Sequence, residues 1–531
     1  MDDGRGGTAS AIVTVTVTPA ETLSENFSIV SAGKPGSGLP RGAIWRHFAP
    51  PAINETGAMA FFARWNSPTL SGAGIFVAAA DKTISQLAKI GDVAPGADGA
   101  RFAGFKDPLL APDGGILFGA TLTGSGVNPN NRQVVCWAAS DGSPAQLVAR
   151  TGAAIPSLDG ARLEVISAME VASGGHVVVR GTLRRSAAVQ PLNDQVVLSW
   201  SAAAKTLVPV LREGQFLPGL GHVGTIRTLV DSLAAPGVGR EWLGRRAADD
   251  SLVLRSQVEF LGGNSRYLET DLQTGEITML FSTGATVVGP LGTPAETIFT
   301  GLGLPYFSSA GDAVAFRGVL SDDVSAVFTH HNRTGVTKAI SYVGQAAPAI
   351  AGFTISQVDD PVASPNGSNV AWTSRVTGTG VERGNDEVLY WAHEEETTLL
   401  AREGAQAAGC EEGVRLGEFL SFAIPASAKG PIFTARLKGN VVPSQRRDST
   451  RLDEVPAKND VGLWGVDATG RVRLLLRTGK ELDGRTIQSF RLLNPGRGVP
   501  GTGRAFKGNG KIAVLVAGRD GSTHIVGVDL P

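Results

Sequence analysis

One short phrase recurs eight times along the chain: a run ending in a basic or small residue, then glycine, then a loop rich in glycine, proline and alanine. The five clearest copies span residues 88–91, 149–152, 211–214, 401–404 and 476–479. Looser copies end at Gly33, Gly284 and Gly344, and consecutive copies lie about 58 to 75 residues apart. A fixed period of this size is typical of identical units that assemble into one body.

Four short apolar runs fill each unit between two copies of the phrase. They are rich in β-branched and aromatic residues and are bounded by glycine, asparagine and aspartate, which is the pattern of strands joined by hairpins. No window shows a helical period of 3.6 residues. Four strands per unit at this period indicate the blade of a β-propeller. Third runs often end near a tryptophan, and we expect these side chains to pack between blades at matched positions (Trp137, Trp200, Trp391 and Trp464).

The two ends of the chain complement each other. A strand near residues 27–30 precedes the first full unit, whereas the chain finishes with three strands near 486–493, 511–517 and 524–529. The N-terminal strand can therefore supply the outer strand of the last blade, which leaves no exposed edge. The sequence predicts an all-β fold: an eight-bladed β-propeller over residues 21–531, closed by residues near 25–32.

Charge and composition exclude several classes of function. The formal net charge of −1 argues against a nucleic-acid binder that works by overall charge. No run of 18 apolar residues is present, so we expect no membrane span. Met1 is followed by Asp2 and Asp3, unlike the basic start of a signal peptide. Two cysteines are too few for a disulfide framework. We expect a monomer.

The phrase at residues 54–61, Asn-Glu-Thr-Gly-Ala-Met-Ala-Phe, resembles the NxxGxxAF tandem repeats of bacterial surface proteins. The resemblance covers most of the chain from about residue 25, although the motif is complete only in the first unit. It implies a repeat fold and export to the bacterial cell surface, and it supplies no catalytic residues.

The first residues show a different pattern. Residues 3–19 end in a strict alternation of valine or isoleucine with threonine, and they resemble the last hairpin of a bacterial immunoglobulin-like or cadherin-like repeat. A lone strand cannot bury a face. We therefore expect residues 1–20 to be the remnant or linker of a preceding domain, and the chain to be part of a longer multidomain surface protein.

Long links between the second and third strands are the candidate ligand site, because repeat scaffolds gather insertions on the binding face. They span residues 123–132, 184–194, 377–386 and 438–460, and they are expected to share one face with the links between blades. Candidate ligand-binding side chains are those of the charged residues in these loops (Arg132, Arg184, Arg185, the pair Glu382 and Arg383, Arg446, Arg447, Asp448 and Arg451). The alternative for residues 438–460 is a solvated excursion.

Two further recurrences each have two interpretations. Asparagine-containing pairs close the long loops, at 130–131, 193–194, 385–386 and 459–460; they either start the third strand as Asx turns or contribute oxygen ligands to Ca²⁺. A basic residue two before the loop glycine recurs in five units (Lys89, Arg150, Arg212, Arg402 and Arg477). This ring either attracts an anionic polymer or caps carbonyls and pairs with carboxylates. The architectural interpretation is favoured in both cases, so no cofactor or metal is predicted.

The leading functional hypothesis is an extracellular or cell-surface recognition module that binds a glycan or protein ligand on the loop-bearing face. The sequence contains no recognised catalytic motif. The rival is a polysaccharide-cleaving enzyme of the lyase type, which would need a histidine or tyrosine and an arginine in one cleft. His47 and His222 are expected in first strands near the channel. A structural spacer of a large surface protein is the third hypothesis.

Overall fold

A computed structural model describes residues 27–36, 38–228, 242–246, 248–288, 296–308, 311–393, 396–425, 428–439, 460–482, 484–491 and 510–531. These residues form eight antiparallel sheets that follow one another along the chain. The only helical elements within these ranges are two single 3₁₀ turns, Pro156–Leu158 and Ser173–Gly175. The predicted all-β, eight-bladed propeller is therefore confirmed. The proposed remnant at residues 1–20 lies outside the described residues.

The first four blades contain the strands that follow, in chain order. Blade one comprises Ile44–Phe48, Ala52–Ile53, Met59–Asn66, Ser71–Ala78 and Ile84–Lys89. Blade two comprises Arg101–Phe105, Leu109–Leu110, Ile116–Thr123, Gln133–Ala138 and Gln146–Arg150. Blade three comprises Leu163–Ala172, His176–Leu183, Gln195–Ser201 and Val208–Arg212. Blade four comprises Phe216–Leu217, Gly221–Arg227, Leu243–Arg245, Leu252–Phe260, Ser265–Asp271 and Ile277–Ser282.

The remaining blades repeat this order of first, second, third and fourth strand. Blade five comprises Thr286–Val288, Glu296–Leu302, Tyr306–Phe307, Ala313–Leu320, Ser325–His331 and Val336–Tyr342. Blade six comprises Thr354–Val358, Val362–Ala363, Asn369–Thr377, Glu387–His393 and Glu396–Arg402. Blade seven comprises Val414–Ala423, Ile432–Gly439, Val461–Val466 and Val472–Arg477. Blade eight comprises Glu481–Leu482, Arg485–Arg491, Lys511–Gly518, Thr523–Asp529 and, from the N-terminus, Phe27–Ser31.

Proline interrupts the first strand of several blades. In blades one, two, five and six the strand breaks and then resumes immediately after a proline (Pro51, Pro108, Pro305 and Pro361). Proline lacks the N–H that a ladder requires, so the regular pairing with the second strand is interrupted between the two halves. One backbone hydrogen bond remains there, in blade one from the Ala49 N–H to the Phe62 carbonyl at 3.0 Å. The resumed pieces of neighbouring blades touch one another around the ring, which places this edge of each blade closest to the axis.

The turn between first and second strands explains the Asn-x-x-Gly phrase. Asn54 Oδ1 accepts hydrogen bonds from the backbone N–H groups of Thr56 (3.2 Å) and Ala58 (3.1 Å), and Gly57 takes a positive φ of 82° that favours glycine. Asn54 Nδ2 also donates to the carbonyl of Pro112 in blade two, at 3.5 Å. The phrase is therefore a turn that also links neighbouring blades.

The tryptophans pack between blades as predicted, but not at matched positions. Trp137 and Trp391 occupy the fifth place of their third strands, whereas Trp464 occupies the fourth and Trp200 the sixth. Because successive strand side chains face opposite sides, these pairs point in opposite directions around the ring. Trp137 thus lies against Gly175 of the following blade, and Trp464 Nε1 donates to the carbonyl of Ala408 in the link from the preceding blade, at 2.9 Å.

The N-terminal strand closes the ring. Phe27–Ser31 pairs antiparallel with Thr523–Asp529 as the outer strand of blade eight, which confirms the predicted clasp. Val30 is buried in a cluster that joins Leu515 and Ile525 of blade eight to Trp45 of blade one. His524 Nδ1 also lies 3.0 Å from Ser31 Oγ across this pairing. The two ends of the chain thus share one core.

This clasp gives a first prediction. Val30→Asp places a carboxylate in the cluster between blades eight and one, and we expect it to lower the free energy of unfolding by roughly 3 kcal/mol. Val336→Asp on an outer strand is the control, because Val336 is 55% exposed. Denaturant unfolding of both variants measures the difference. Equal losses would contradict a closing role for the N-terminal strand.

Candidate functional site

The links between blades and the links from second to third strands meet on one face, called here the loop-bearing face. Arg150, at the end of a fourth strand, donates its Nε–H to the carbonyl of Asn131 in the long loop of the same blade, at 2.9 Å. Arg212 and Asn193 repeat this bond at 2.9 Å in blade three. Arg402 and Asn385 repeat it at 2.9 Å in blade six. The two recurrences seen in the sequence are thus partners in one structural motif.

Each of these asparagines also closes its own loop. Asn131 Oδ1 accepts the backbone N–H of Asn128 at 2.7 Å, and its Nδ2 donates to the carbonyl of Gly126 at 2.9 Å. Asn385 makes the same two bonds, to the N–H of Glu382 at 2.9 Å and the carbonyl of Gly380 at 3.2 Å. The side-chain amides are engaged within the loops, so the Asx-turn interpretation accounts for their recurrence without a Ca²⁺ ion.

The recurrent arginines have further partners that differ from blade to blade. In blade two Arg150 Nη1 lies 3.5 Å from Asp98 Oδ2. In blade six the Arg402 guanidinium stacks over the Phe353 ring, 4.6 Å from its centroid. In blade seven Arg477 bonds to Glu411, which also accepts a hydrogen bond from Lys480 at 2.7 Å. Burial opposes ionisation of this carboxyl, but the bonds from Lys480 and Arg477 lower its pKa to about 2. These contacts favour the capping interpretation over a ring of unpaired cations.

The predicted ligand residues divide between two arcs of the loop-bearing face. Arg132 and Arg383 are exposed at the loops of blades two and six, next to an equally exposed Glu382. Arg184 Nη2 reaches the carbonyl of Asn130 in the neighbouring loop, at 3.5 Å, and Arg185 lies 3.7 Å from Asp194. The remaining candidates, Arg446, Arg447, Asp448 and Arg451, lie outside the described residues.

A cluster of charged side chains between blades six and seven was missed by the sequence analysis. Glu387, the first residue of a third strand, accepts the backbone N–H of Phe419 in the next blade, at 3.2 Å. Gln133 occupies the same place in blade two and accepts the N–H of Ile166 at 3.3 Å. Blade six thus has a carboxyl where blade two has a neutral amide. The recurring position directly after the asparagine pairs was the available signal.

Burial dominates the electrostatics of Glu387. The side chain is 9% exposed, and desolvation raises the pKa of its carboxyl from 4.5 to about 7. The Phe419 N–H and the Arg375 guanidinium oppose this shift, whereas Glu403 and Asp359 add to it. Glu387 therefore changes charge close to neutral pH.

Ion pairs of blades six and seven lie near Glu387. Arg375 Nη1 lies 2.7 Å from Asp386 Oδ2 in blade six, and Lys438 Nζ of blade seven lies 2.6 Å from Glu403 Oε1. Arg436 follows in blade seven, 3.1 Å from Asp460. Lys438 and Asp460 are the two ends of the blade-seven loop. Both ends of that loop thus form ion pairs of this charged cluster.

The histidine and tyrosine candidates of a lyase that follow are engaged elsewhere than at this charged cluster. Tyr390 donates its hydroxyl to the carbonyl of Pro348 at 3.2 Å, and burial raises its pKa to about 12. Tyr267 donates to the carbonyl of Gly303 at 2.9 Å. His47 lies in a first strand, as expected, opposite Arg64 of the second strand in blade one.

Comparisons with known proteins place the chain in a family. A family described as "Family of unknown function (DUF7453)" matches residues 3–239 and 272–528. The chain belongs to this family. No curated protein matches the sequence.

Solved structures match the chain over most of its length at low similarity. A structure titled "Structure of Dos1 propeller" matches with 9% identity and a TM-score of 0.41, covering 95% of each chain. An oligogalacturonate lyase in complex with manganese matches with 12% identity and a TM-score of 0.34, covering 93% of this chain and 99% of the other. A Pyrococcus horikoshii acylaminoacyl peptidase matches with 12% identity and a TM-score of 0.37, covering 89% of this chain and 58% of the other. Similarities of this size carry no argument about activity.

The raised pKa of Glu387 gives a prediction with a defined sign. The folded protein holds a proton on Glu387 up to about pH 7, whereas the unfolded chain loses it near 4.5, so this group's stabilising effect is present below pH 4.5 and is lost as the pH rises to 7. Glu387→Gln keeps an oxygen acceptor for Phe419 and cannot ionise. We expect it to match the wild type at pH 4 and to be more stable by up to about 3 kcal/mol at pH 8.

Denaturant unfolding of both proteins across this pH range is the measurement. Gln133→Glu in blade two is the companion variant, because it places a carboxyl at the equivalent position and should introduce the same loss of stability on raising the pH. A constant difference between wild type and Glu387→Gln at all pH values would contradict the account.

Proposed function

We propose that the chain is an extracellular or cell-surface recognition module that binds a glycan or protein ligand on the loop-bearing face. The observation that carries this proposal is a pair of loops that are closed by the same hydrogen bonds (their frame) but differ in their central residues (their tips). Residues 123–132 and 377–386 have equal length and are closed by the same asparagine bonds to Gly126 and Gly380. Their central residues differ, with Asn-Pro-Asn at 128–130 and Glu-Arg-Gly at 382–384.

A fixed frame with variable tips suits recognition. Loops held by their own hydrogen bonds lose little conformational freedom when a ligand binds, so more of the contact energy contributes to affinity. The long loops of blades two and three are also linked to each other, since Arg184 of blade three donates to the carbonyl of Asn130 in the loop of blade two. The exposed side chains of Arg132 and Arg383 then face the solvent from a rigid base.

The proposed location rests on the sequence. The Asn54 phrase resembles repeats of bacterial surface proteins, and residues 3–19 resemble the end of a bacterial immunoglobulin-like repeat. Within the described ranges, no helix is long and apolar enough to span a membrane. A display role on a bacterial surface is consistent with both resemblances.

The blade-seven loop offers a direct test of this function. Residues 440–459 are replaced by a four-residue turn, while Lys438 and Asp460 are kept because they pair with Glu403 and Arg436. We expect the melting temperature to stay within a few degrees and binding to weaken, as measured on arrays of bacterial polysaccharides and surface proteins. Failure to fold would make the loop part of the scaffold; unchanged binding would exclude it from the site.

Polysaccharide cleavage is the second candidate, and the charged cluster at Glu387 favours it. Elimination at a uronate needs one group to take the proton beside the carboxylate and another to give a proton to the leaving oxygen, with a cation near the carboxylate. The pKa of Glu387 is about 7, Arg375 lies beside it, and Lys438 bonds to the neighbouring Glu403. Burial of the carboxyl and its bond to Phe419 make recognition the better-supported function.

A polysaccharide panel separates the two candidates. Purified protein is incubated with acidic polysaccharides, and unsaturated ends are followed by ultraviolet absorbance. The recognition module binds without producing them. If the wild type and Gln133→Glu produce unsaturated ends but Glu387→Gln does not, the protein cleaves the polysaccharide and the recognition proposal is overturned.

A further inference from the structure

Two cavities lie at the same place in neighbouring blades of the loop-bearing face. The cavity of blade two has a volume of about 450 Å³ and is bordered by Arg150, Asn131 and Leu147. The cavity of blade three has a volume of about 310 Å³ and is bordered by Arg212, Asn193 and Pro209, the equivalent residues. Both cavities therefore form around the same arginine–asparagine motif.

Other blades use loop residues to cover this arginine. Phe353 precedes the first strand of blade six and stacks on Arg402. The equivalent residues of blades two and three are Ala100 and Ala161, as the bridges Ala346–Thr354, Val93–Arg101 and Ala154–Arg162 show. In blade seven Glu411 bonds to Arg477. Blades two and three have an alanine at the place of Phe353, and the Asp98 carboxylate that approaches Arg150 is itself 95% exposed, which leaves two adjacent open cavities.

The cavity walls carry both charges and amide groups. In blade two the Asp98 carboxylate stands 3.5 Å from Arg150 and is 95% exposed. In blade three Glu213 follows Arg212, and the exposed Gln215 accepts the Arg212 backbone N–H through its Oε1 at 3.0 Å. Hydroxyl groups both donate and accept hydrogen bonds, so a wall with a guanidinium beside a carboxylate suits them.

Charge and shape narrow the class of ligand. Asp98 and Glu213 disfavour a phosphate or a polyanion at these cavities, since a like charge nearby is repulsive. An apolar side chain borders each cavity, Leu147 in blade two and Leu158 in blade three. A sugar ring combines hydroxyl groups at its edge with an apolar face. Neutral sugars match these walls better than acidic ones.

We propose that blades two and three carry a pair of equivalent subsites for neutral sugar rings of one polysaccharide chain. The inference rests on the proposed glycan recognition by the loop-bearing face and names its ligand class. Each arginine is held in place by the asparagine carbonyl before any ligand arrives. Two subsites on adjacent blades give avidity for a repeating polymer, because binding at the second becomes intramolecular.

Isothermal titration with neutral hexasaccharides of cellulose, xylan, mannan, galactan and dextran type tests the proposal. Asp98→Ala and Gln215→Ala should each weaken the binding of at least one of them about tenfold, through loss of hydrogen bonds to one subsite. The double variant Asp98→Ala/Gln215→Ala should lose more affinity than either single variant. Ala153→Trp, which fills the blade-two cavity, should act like Asp98→Ala without removing a contact.

Matched controls lie on turns of the opposite face. Asp141→Ala, in a turn of blade two, and Gln273→Ala, in a turn of blade four, should leave binding unchanged. Neutral-glycan binding that none of the cavity variants affects would overturn the subsites while leaving the proposed function standing. Binding only to acidic polysaccharides or proteins would do the same. No binding at all would count against both proposals.

Discussion

Backbone pairing between the first and last strands is the interaction on which this structure depends. Each blade is a separate sheet, and the C-terminal segment of the chain supplies only the inner and middle strands of blade eight. The ring is therefore complete only if the N-terminal segment contributes the outer strand. Here the N-terminal Phe27–Ser31 completes the last blade. Every other blade can then pack against two neighbours, which is what buries both faces of the second and third strands.

Polar groups connect the blades where apolar packing alone leaves backbone groups unpaired. Inner strands bulge, and a bulge frees an N–H that would be costly to bury alone. Gln133 and Glu387 each reach across to such an N–H in the next blade. The same requirement explains the arginine–asparagine motif, which ties two loops of one blade at their bases. Recognition surfaces are consequently built on loops that are already ordered.

Much of the fold was predictable because it follows from local sequence patterns and from the number of strands left over at the two ends of the chain. The eight phrases, the turn residues and the spare strand at residue 27 all have short-range physical causes. The tryptophans show the limit of that approach. A displacement of one residue along a strand turns Trp464 to the opposite face from Trp391, and spacing to a loop glycine does not fix that register.

The candidate site was less predictable, since it depends on which side chains meet across blades. Sequence spacing pointed to the long loops but not to Glu387, whose altered pKa arises from burial against a neighbouring blade. The two cavities likewise depend on small residues at Ala100 and Ala161 where blade six has Phe353. A small residue at a position where another blade has a bulky one does not form a recognisable sequence motif. Such features become visible only when equivalent positions are compared in three dimensions.

Binding on the loop-bearing face is the central claim, and hydrogen exchange of the full chain tests it most directly. Exchange is measured by mass spectrometry with and without a saturating polysaccharide or protein ligand from the panels. The account predicts slower exchange in the links at 92–99, 123–132, 150–158 and 184–194, with no change in the turns at 54–58 and 139–145 on the opposite face. Protection confined to those opposite turns would contradict it.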